Sequence, residues 1–418
     1  MDRLNQLAGQ LSPSSKQAVL EKNPDDVVIV GAYRTAMTKG GRGSFRDVGS
    51  DYILTKFLEA FLKKTGVDPN LIEDVACGNV LNRAAGASEH RGACLAAGIP
   101  NTAAFIALNR QCSSGLMAVS EIANKIKCGE IDVGVAAGVE SMTKGYGADA
   151  IPKVDPALAE NAEMAKCLIP MGITNENVAD KYKIPREKQD AFAAESYRKA
   201  EQAVSSGAFK SEILPIEAIL RDDDDDDEEE NAEPAEKKII VDTDEGPRKG
   251  VTAQSLAKLK PAFKSDGTTH AGNASQVSDG AAAVLLMRRS VAEAKGYPIE
   301  GKFVLCSAVG VPPEIMGIGP AVAIPTVLKK AGLTVSDIDI FEINEAFAAQ
   351  CLYSAETCNV PADKLNINGG AIALGHPLGC TGARQYATIL PLLKKGQIGL
   401  TSMCIGTGMG AASILVRE

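Results

Sequence analysis

Four short segments carry residue types that can do covalent and proton-transfer chemistry. Asn109-Arg110-Gln111-Cys112-Ser113-Ser114-Gly115 runs into an apolar-periodic stretch, Leu116, Val119, Ile122 and Ile126. That spacing predicts a helix with Cys112 at the turn into it. Main-chain N–H groups at a helix start favour an anion, which lowers a thiol pKa and raises its thiolate fraction. Cys112 is therefore a candidate nucleophile, against the commoner fate of a cysteine as a small buried hydrophobe. Gly375-His376-Pro377-Leu378-Gly379 places one of only three histidines in a turn before another helix. A loop imidazole there is a natural general base for a thiol. His90 and His270 have plainer flanks and read as structural.

The third segment is Ser402-Met403-Cys404-Ile405-Gly406-Thr407-Gly408-Met409-Gly410. Alternating glycines let main-chain N–H groups approach a ligand and form an oxyanion hole. Cys404 in front of them is a second candidate reactive thiol; a plain glycine-rich turn between strands is the alternative. The fourth, Glu342-Ile343-Asn344-Glu345-Ala346-Phe347-Ala348, follows a strand. It occupies the strand-to-helix loop where open α/β sheets hold ligand-binding residues. Asn344 or Glu345 is the polar candidate, with helix capping the other use of the Asn.

The elements that must position these residues alternate. Val27-Val28-Ile29-Val30 reads as a strand, residues 52–64 as a helix capped by Asp51 or Ser50, and residues 72–76 as a strand. A helix after Cys112 and strands at 133–137 and 337–341 continue the pattern. This predicts an α/β fold with a parallel or mixed sheet. The chain also repeats itself. Lys63-Lys64-Thr65-Gly66-Val67 with Leu71-Ile72-Glu73-Asp74-Val75 matches Lys329-Lys330-Ala331-Gly332-Leu333 with Asp337-Ile338-Asp339-Ile340-Phe341, at an offset of 266 residues. Residues 280–286 match 410–416 at an offset of 130. Two such pairs in the same order indicate a duplicated fold. The first copy carries a surplus of about 136 residues, which falls around residues 145–270 and reads as a partly helical, loop-rich insertion.

Composition narrows the function classes. The hydrophobic fraction is 45% and the charged fraction 23%, as in ordinary globular enzymes. No apolar run is long enough to span a membrane. The net charge of −9 resides in one block, the nine consecutive acids at 222–230, so no basic footprint for nucleic acid remains. That block and the residues after it, to 238, read as a disordered acidic loop. Ten cysteines occur without a C-x-x-C pair, which disfavours zinc-ribbon or thioredoxin chemistry and points to a reducing compartment.

Taken in order, the four segments resemble the thiolase family. Met171-Gly172-Ile173-Thr174-Asn175-Glu176-Asn177 and Ala271-Gly272-Asn273-Ala274-Ser275 add to the match, which covers about residues 25–418. The overall pattern is most like the peroxisomal, 3-ketoacyl-CoA-cleaving members. The resemblance implies two αβαβα halves forming a five-layered core with an inserted loop domain. Its bounds would be a tail at 1–23, an N-terminal half at 24–144 and 271–292, the insertion at 145–270 and a C-terminal half at 293–418. It implies a Cys112 acyl-enzyme, His376 as base and Cys404 as acid. Asn344, through a water, and the N–H groups of Cys112 and Gly406 would stabilise the oxyanions. Met171, Phe263, Ser275, Met316, Ala346 and Phe347 would contact CoA or substrate. No metal and no permanently bound cofactor is implied; coenzyme A is the co-substrate, and a homodimer is expected.

Pro170 stands where several short-chain thiolases have His, which fits a wider, degradative range of chain lengths. Arg3-Leu4, five residues, then Gln10-Leu11 resembles the second type of peroxisomal targeting signal, with an import receptor as transient partner. Leu4, Leu7 and Leu11 also fall at helical spacing. The competing readings are a biosynthetic acetoacetyl-CoA thiolase and a non-catalytic acyl-CoA-binding protein of the same fold. Decarboxylating ketosynthases carry a second His where this chain has Cys404.

Overall fold

The computed structural model describes residues 15–147, 150, 154–221 and 236–418. The N-terminal half contributes β1 (Val27–Arg34), α1 (Ser50–Thr65), β2 (Asp74–Gly78), α2 (Ala87–Ala96), β3 (Ala104–Leu108), α3 (Ser114–Cys128) and β4 (Val133–Ser141). There follow α4 (Met171–Tyr182), α5 (Arg186–Ser206) and the hairpin β5 (Ile216–Arg221) with β6 (Glu236–Val241). Strand β7 (Ser278–Arg288) then returns to pair with both β4 and β1. The C-terminal half contributes β8 (Gly301–Gly310), α6 (Gly319–Ala331), β9 (Ile340–Ile343), α7 (Ala348–Thr357), α8 (Thr381–Leu392), β10 (Ile398–Ile405) and β11 (Met409–Arg417).

The strands run β9-β10-β11-β8-β1-β7-β4-β2-β3, and the halves meet where Val27–Ile29 of β1 pair antiparallel with Phe303–Gly301 of β8. Strand alternation sorts the core into layers. Val135, Leu285 and Val75 face α1 through Ile53, Phe57 and Phe61. Ala136, Val284 and Leu286 face inward on α3 and α8, together with Met403, Ile405 and Leu415 from the C-terminal strands. Phe341, Leu400 and Ile414 face outward on α6 and α7. Helix, sheet, helix, sheet, helix is the result, with α3 and α8 as the buried middle layer.

The repeat is visible in backbone detail. Helices α1 and α6 both end on left-handed glycines, Gly66 (φ 64°) and Gly332 (φ 67°). Each is followed by a capped turn of 3₁₀ helix, at Pro69–Leu71 and Val335–Asp337, and then by β2 or β9. These turns explain why the strands start later than the apolar pattern predicts. Asp68 accepts the Asn70 N–H (3.0 Å), and Asp337 accepts the Thr334 N–H (2.9 Å), so β2 begins at Asp74 and β9 at Ile340. Ser50 does not cap α1: it lies inside the helix with its hydroxyl on His90 Nε2 (3.0 Å), and Gly49 is the cap residue.

The surplus of the first copy lies between β4 and β7, adjacent strands that in the C-terminal half are joined by Gly406, Thr407 and Gly408 alone. Arg34, at the end of β1, rivets this segment down. Its guanidinium is bidentate on Asp244 (2.6 and 2.8 Å) and donates to Glu212 (2.5 Å), all three fully buried. Glu236, Lys237 and Lys238, read from sequence as the end of a loop, instead form the start of β6, because they pair with Ile219, Leu220 and Arg221. The acid block at 222–230 and the N-terminal Arg3–Leu11 pattern lie outside the described residues.

Candidate active site

Cys112 sits two residues before α3, in a loop that supports itself. Asn109 Oδ1 accepts the Gln111 N–H (3.0 Å), and the hydroxyls of Ser113 and Ser114 donate to the carbonyls of Arg110 (2.9 Å) and Gln111 (2.7 Å). Gln111 takes a left-handed φ of 47°, a strained value for a residue with a side chain, immediately before the thiol. The sequence expectation of a depressed thiol pKa is not met. Burial pushes Cys112 up to about 11, and the N–H groups of Gly406 and of Cys112 itself only partly offset it. The resting group is a thiol, so a base must take its proton.

That base is placed by the loop entering α8. His376 is buried, and its pKa is lowered to about 3 by burial first and by the Arg384 charge second. It is therefore a neutral imidazole. Hydrogen-bond bookkeeping fixes its tautomer. Thr381 donates its only hydroxyl hydrogen to the Pro377 carbonyl (3.0 Å), so it accepts from His376 Nδ1–H (2.6 Å). The lone pair then lies on Nε2, where Asn344 Nδ2 donates to it (3.2 Å). Asn344 Oδ1 has no hydrogen-bond partner among the described residues.

The His376 loop is clamped from the opposite half. Glu140 of β4 accepts the Gly379 N–H (2.9 Å), and also bonds the N–H groups of Val80 and Leu81 and the Asn79 amide. Burial raises its pKa to about 7. A Cβ on Gly138 would lie 2.2 Å from the Gly379 carbonyl, and one on Gly115 would lie 2.6 Å from the same oxygen. Only glycine permits this backbone-to-backbone approach.

Cys404 lies at the end of β10, fully buried against Met171, Ala274, Met316, Ala346 and Phe347. Burial holds its thiol well above the ordinary range, and the neighbouring Cys112 adds to the shift. Of the three following glycines, only Gly406 faces the cleft. Cβ atoms on Gly408 and Gly410 would collide with Val311 and Gly319 backbone, so those two serve packing. Thr407, between Gly406 and Gly408, is held at φ 65°. Glu345, the other polar candidate of its loop, points elsewhere: it accepts from Ser196 (2.6 Å) and Asn366 (2.8 Å), tying α5 to the sheet.

These groups converge on a cleft of about 630 Å³. Cys112, His376, Gly406, Met171, Phe263, Ser275, Met316, Ala346 and Phe347 all line it, while Cys404 and Asn344 stand directly behind the lining. His90 and His270 do not line it. His270 accepts the Gly272 N–H at Nδ1 (3.0 Å) and bonds Asp190 through Nε2 (2.7 Å). Sequence reasoning missed Thr381, Glu140, Lys39, Arg42 and Arg248. Of these only Thr381, five residues after His376 in the first turn of α8, left a local signal. Among the described residues no group of three His, Cys, Asp or Glu side chains is placed to hold a metal, and no helix is long and apolar enough to cross a membrane.

Comparison with known proteins places this site in context. Residues 27–290 match the family description "Thiolase, N-terminal domain" and residues 297–417 match "Thiolase, C-terminal domain". The chain is 74% identical over 419 residues to 3-ketoacyl-CoA thiolase B, peroxisomal, of Candida tropicalis, covering 100% of both chains. It is 57% identical to the peroxisomal 3-ketoacyl-CoA thiolase of Saccharomyces cerevisiae, covering 98% of this chain and 96% of the other. Among solved structures, the dimeric peroxisomal thiolase of Saccharomyces cerevisiae superposes with a TM-score of 0.89 at 57% identity, covering 96% of this chain and 100% of that one.

Proposed function

The chain belongs to the thiolase family, and on that premise we propose how two thiols, an imidazole and an amide divide one reaction between them. The enzyme is an acyltransferase of peroxisomal β-oxidation, cleaving 3-ketoacyl-CoA with CoA to acetyl-CoA and an acyl-CoA two carbons shorter. The observation that carries the proposed division of labour is the tautomer: His376 is neutral and presents its Nε2 lone pair in the cleft that Cys112 lines.

His376 Nε2 takes the Cys112 proton as the sulfur attacks the C3 carbonyl. The C2–C3 bond breaks, its electron pair passes to C2, and the acyl group stays on Cys112. Cys404, a proton-bearing thiol in the resting site, protonates C2 and acetyl-CoA leaves. The resulting Cys404 thiolate takes the proton of the incoming CoA thiol. CoA sulfur attacks the acyl carbonyl, and the departing Cys112 sulfur recovers its proton from His376. The Gly406 and Cys112 N–H groups, which offset part of the burial of the resting sulfur, hold the acyl oxyanion. His376 and a water on the unpaired Asn344 Oδ1 hold the enolate oxygen. Losing one such donor typically costs roughly 100- to 1000-fold in rate.

The apolar lining of Met171, Phe263, Met316, Ala346 and Phe347 suits the pantetheine arm of CoA and the substrate chain. The functional unit is a homodimer. Strand β3 is the outermost strand of its sheet, with Phe105, Ile106 and Leu108 only half-buried; that open edge is the surface we assign to the second copy. Import into the peroxisome rests, in this reading, on Arg3-Leu4 and Gln10-Leu11 and the receptor that reads them.

The test is thiolysis of a 3-ketoacyl-CoA series from C4 to C16, with acyl label trapped on the protein. Cleavage across long chains with label on Cys112 is expected. Cys112→Ala should lose on the order of 10⁴-fold or more in kcat. Activity confined to C4 would favour a biosynthetic role, and unchanged labelling of Cys112→Ala would sink the nucleophile assignment.

A further inference from the structure

Helix α8 is buried in the middle layer, yet one face of it is polar. Thr381, Arg384, Gln385 and Thr388 fall at i, i+3, i+4 and i+7, and none is more than 2% exposed. Thr381 holds His376 Nδ1 (2.6 Å), and Thr388 donates to Glu212 (3.0 Å). Arg384 donates to the Glu342 carboxylate (3.1 Å). Gln385 Nε2 donates to two main-chain carbonyls, those of Glu342 (2.8 Å) and Ser402 (3.2 Å).

Glu342 stands two residues before Asn344, and Ser402 two residues before Cys404. The Ser402 carbonyl also accepts the Asn344 N–H (2.8 Å). One side-chain amide therefore joins the helix that holds His376 to the strand ends that deliver Asn344 and Cys404. Stability does not explain this arrangement. Gln385 Oε1 and Glu342 Oε1 are buried with no hydrogen-bond partner among the described residues, a cost that apolar side chains would avoid. Nor does the fold require it. Helices α3 and α8 cross on Gly115 and Gly382: a Cβ on the first would lie 3.0 Å from Ala383 N, and one on the second 2.1 Å from Leu116 N. Aligned on those glycines, α3 has Met117 and Ala118 where α8 has Arg384 and Gln385, and both pack in the apolar layer. In that half β2 ends at Gly78, with no side chain to hold in place.

We propose that Gln385 is a positioning residue for carbon–carbon cleavage, holding Asn344 and Cys404 at working distance from His376, with Arg384 assisting through Glu342. This rests on the division of labour given above and deepens it. Cleavage needs the enolate oxygen held by His376 and the Asn344 water while Cys404 protonates C2, so an error in their spacing tells directly on the rate. Acyl transfer between Cys112 and CoA places its oxyanion on the Gly406 and Cys112 N–H groups and makes no use of Asn344.

The experiment measures two reactions on each purified variant: thiolysis of acetoacetyl-CoA, and exchange of label between acetyl-CoA and free CoA. Gln385→Met keeps the reach of the side chain and removes both donors. It should lower kcat for thiolysis about tenfold or more at nearly constant KM, and slow label exchange by about threefold or less. Gln385→Asn keeps an amide that falls one carbon short; it should show the same split at smaller size, and it decides the matter if the Met variant does not fold. Thr388→Val removes a donor from the same face one turn on, and should lower the melting temperature while leaving both rates at the wild-type level. Unchanged thiolysis in the Gln385 variants, equal losses in the two reactions, or a loss in Thr388→Val as large as in Gln385→Met would each overturn the proposal. Failure of wild type to carry out either reaction would instead overturn the underlying reading of the chemistry.

Discussion

The loops that feed the two middle-layer helices do opposite jobs and are held in opposite ways. The loop before α3 delivers the nucleophile, Cys112, and braces itself with bonds among Asn109, Arg110, Gln111, Ser113 and Ser114. The loop before α8 delivers the base, His376, and is braced from the other half by Glu140 and by the glycine surfaces of Gly115 and Gly138. The duplicated copies share a topology, yet one supplies a sulfur that must carry and release an acyl group. The other supplies an imidazole whose orientation must not change. Local bracing suits the first and long-range clamping the second. At the repeat offset of 266, Asn344 falls on Gly78, where a Cβ would lie 2.3 Å from Ser114 backbone. One half has a site side chain where the other has no room for any.

Four measurements would break or sharpen this contrast. Gly138→Ala drives a methyl into the Gly379 carbonyl and should cost about 3 kcal/mol in denaturant unfolding; a neutral result would mean the clamp is not tight. Next is acid. His376 stays neutral in the folded protein to about pH 3, whereas the unfolded chain protonates it below about 6.5. Unfolded chain then binds the extra proton, so this group's contribution to stability falls as pH drops through that window. At pH 5 the loss should be about 2 kcal/mol relative to pH 7, and His376→Asn should remove it from the pH profile. Thr381→Val frees the imidazole tautomer and should lower kcat about tenfold, or about 1.4 kcat-derived kcal/mol. Thr381→Ser should restore it, and KM should hardly move. Smallest is Asn109→Ala, which removes two exposed neutral hydrogen bonds, one within the loop to the Gln111 N–H and one to the Val80 carbonyl. It should cost about 1 kcal/mol or less by thermal melting; a loss as large as that of Gly138→Ala would erase the distinction between the loops.

The same contrast explains what could be read from the sequence. The Cys112 loop declares itself because its residues are neighbours: a cysteine, two serines and a glycine at the mouth of a periodic helix. The His376 turn and the Gly406 turn were legible for the same reason, as was the duplication, whose 3₁₀ turns and left-handed glycines recur in both halves. Glu140 was not legible, because it sits 239 residues from the Gly379 amide it holds. The thiol pKa was misjudged for a related reason. A helix start is a local feature, while the desolvation that outweighs it comes from every element packed around Cys112. Strand β6 shows the same limit, as Glu236, Lys237 and Lys238 look like loop until β5 is there to pair with them.

Strand β1 is the centre of the array and, among the described residues, the first strand to be synthesised. Its partner on one side is β7, at least 248 residues later in the chain, and on the other β8, later still. At roughly 5–20 residues per second on the ribosome, Val27-Val28-Ile29-Val30 waits roughly 12 to 50 seconds with both edges open. During that interval the nascent chain exposes an apolar strand with no partner in reach, so its solubility depends on being shielded until β7 and β8 arrive.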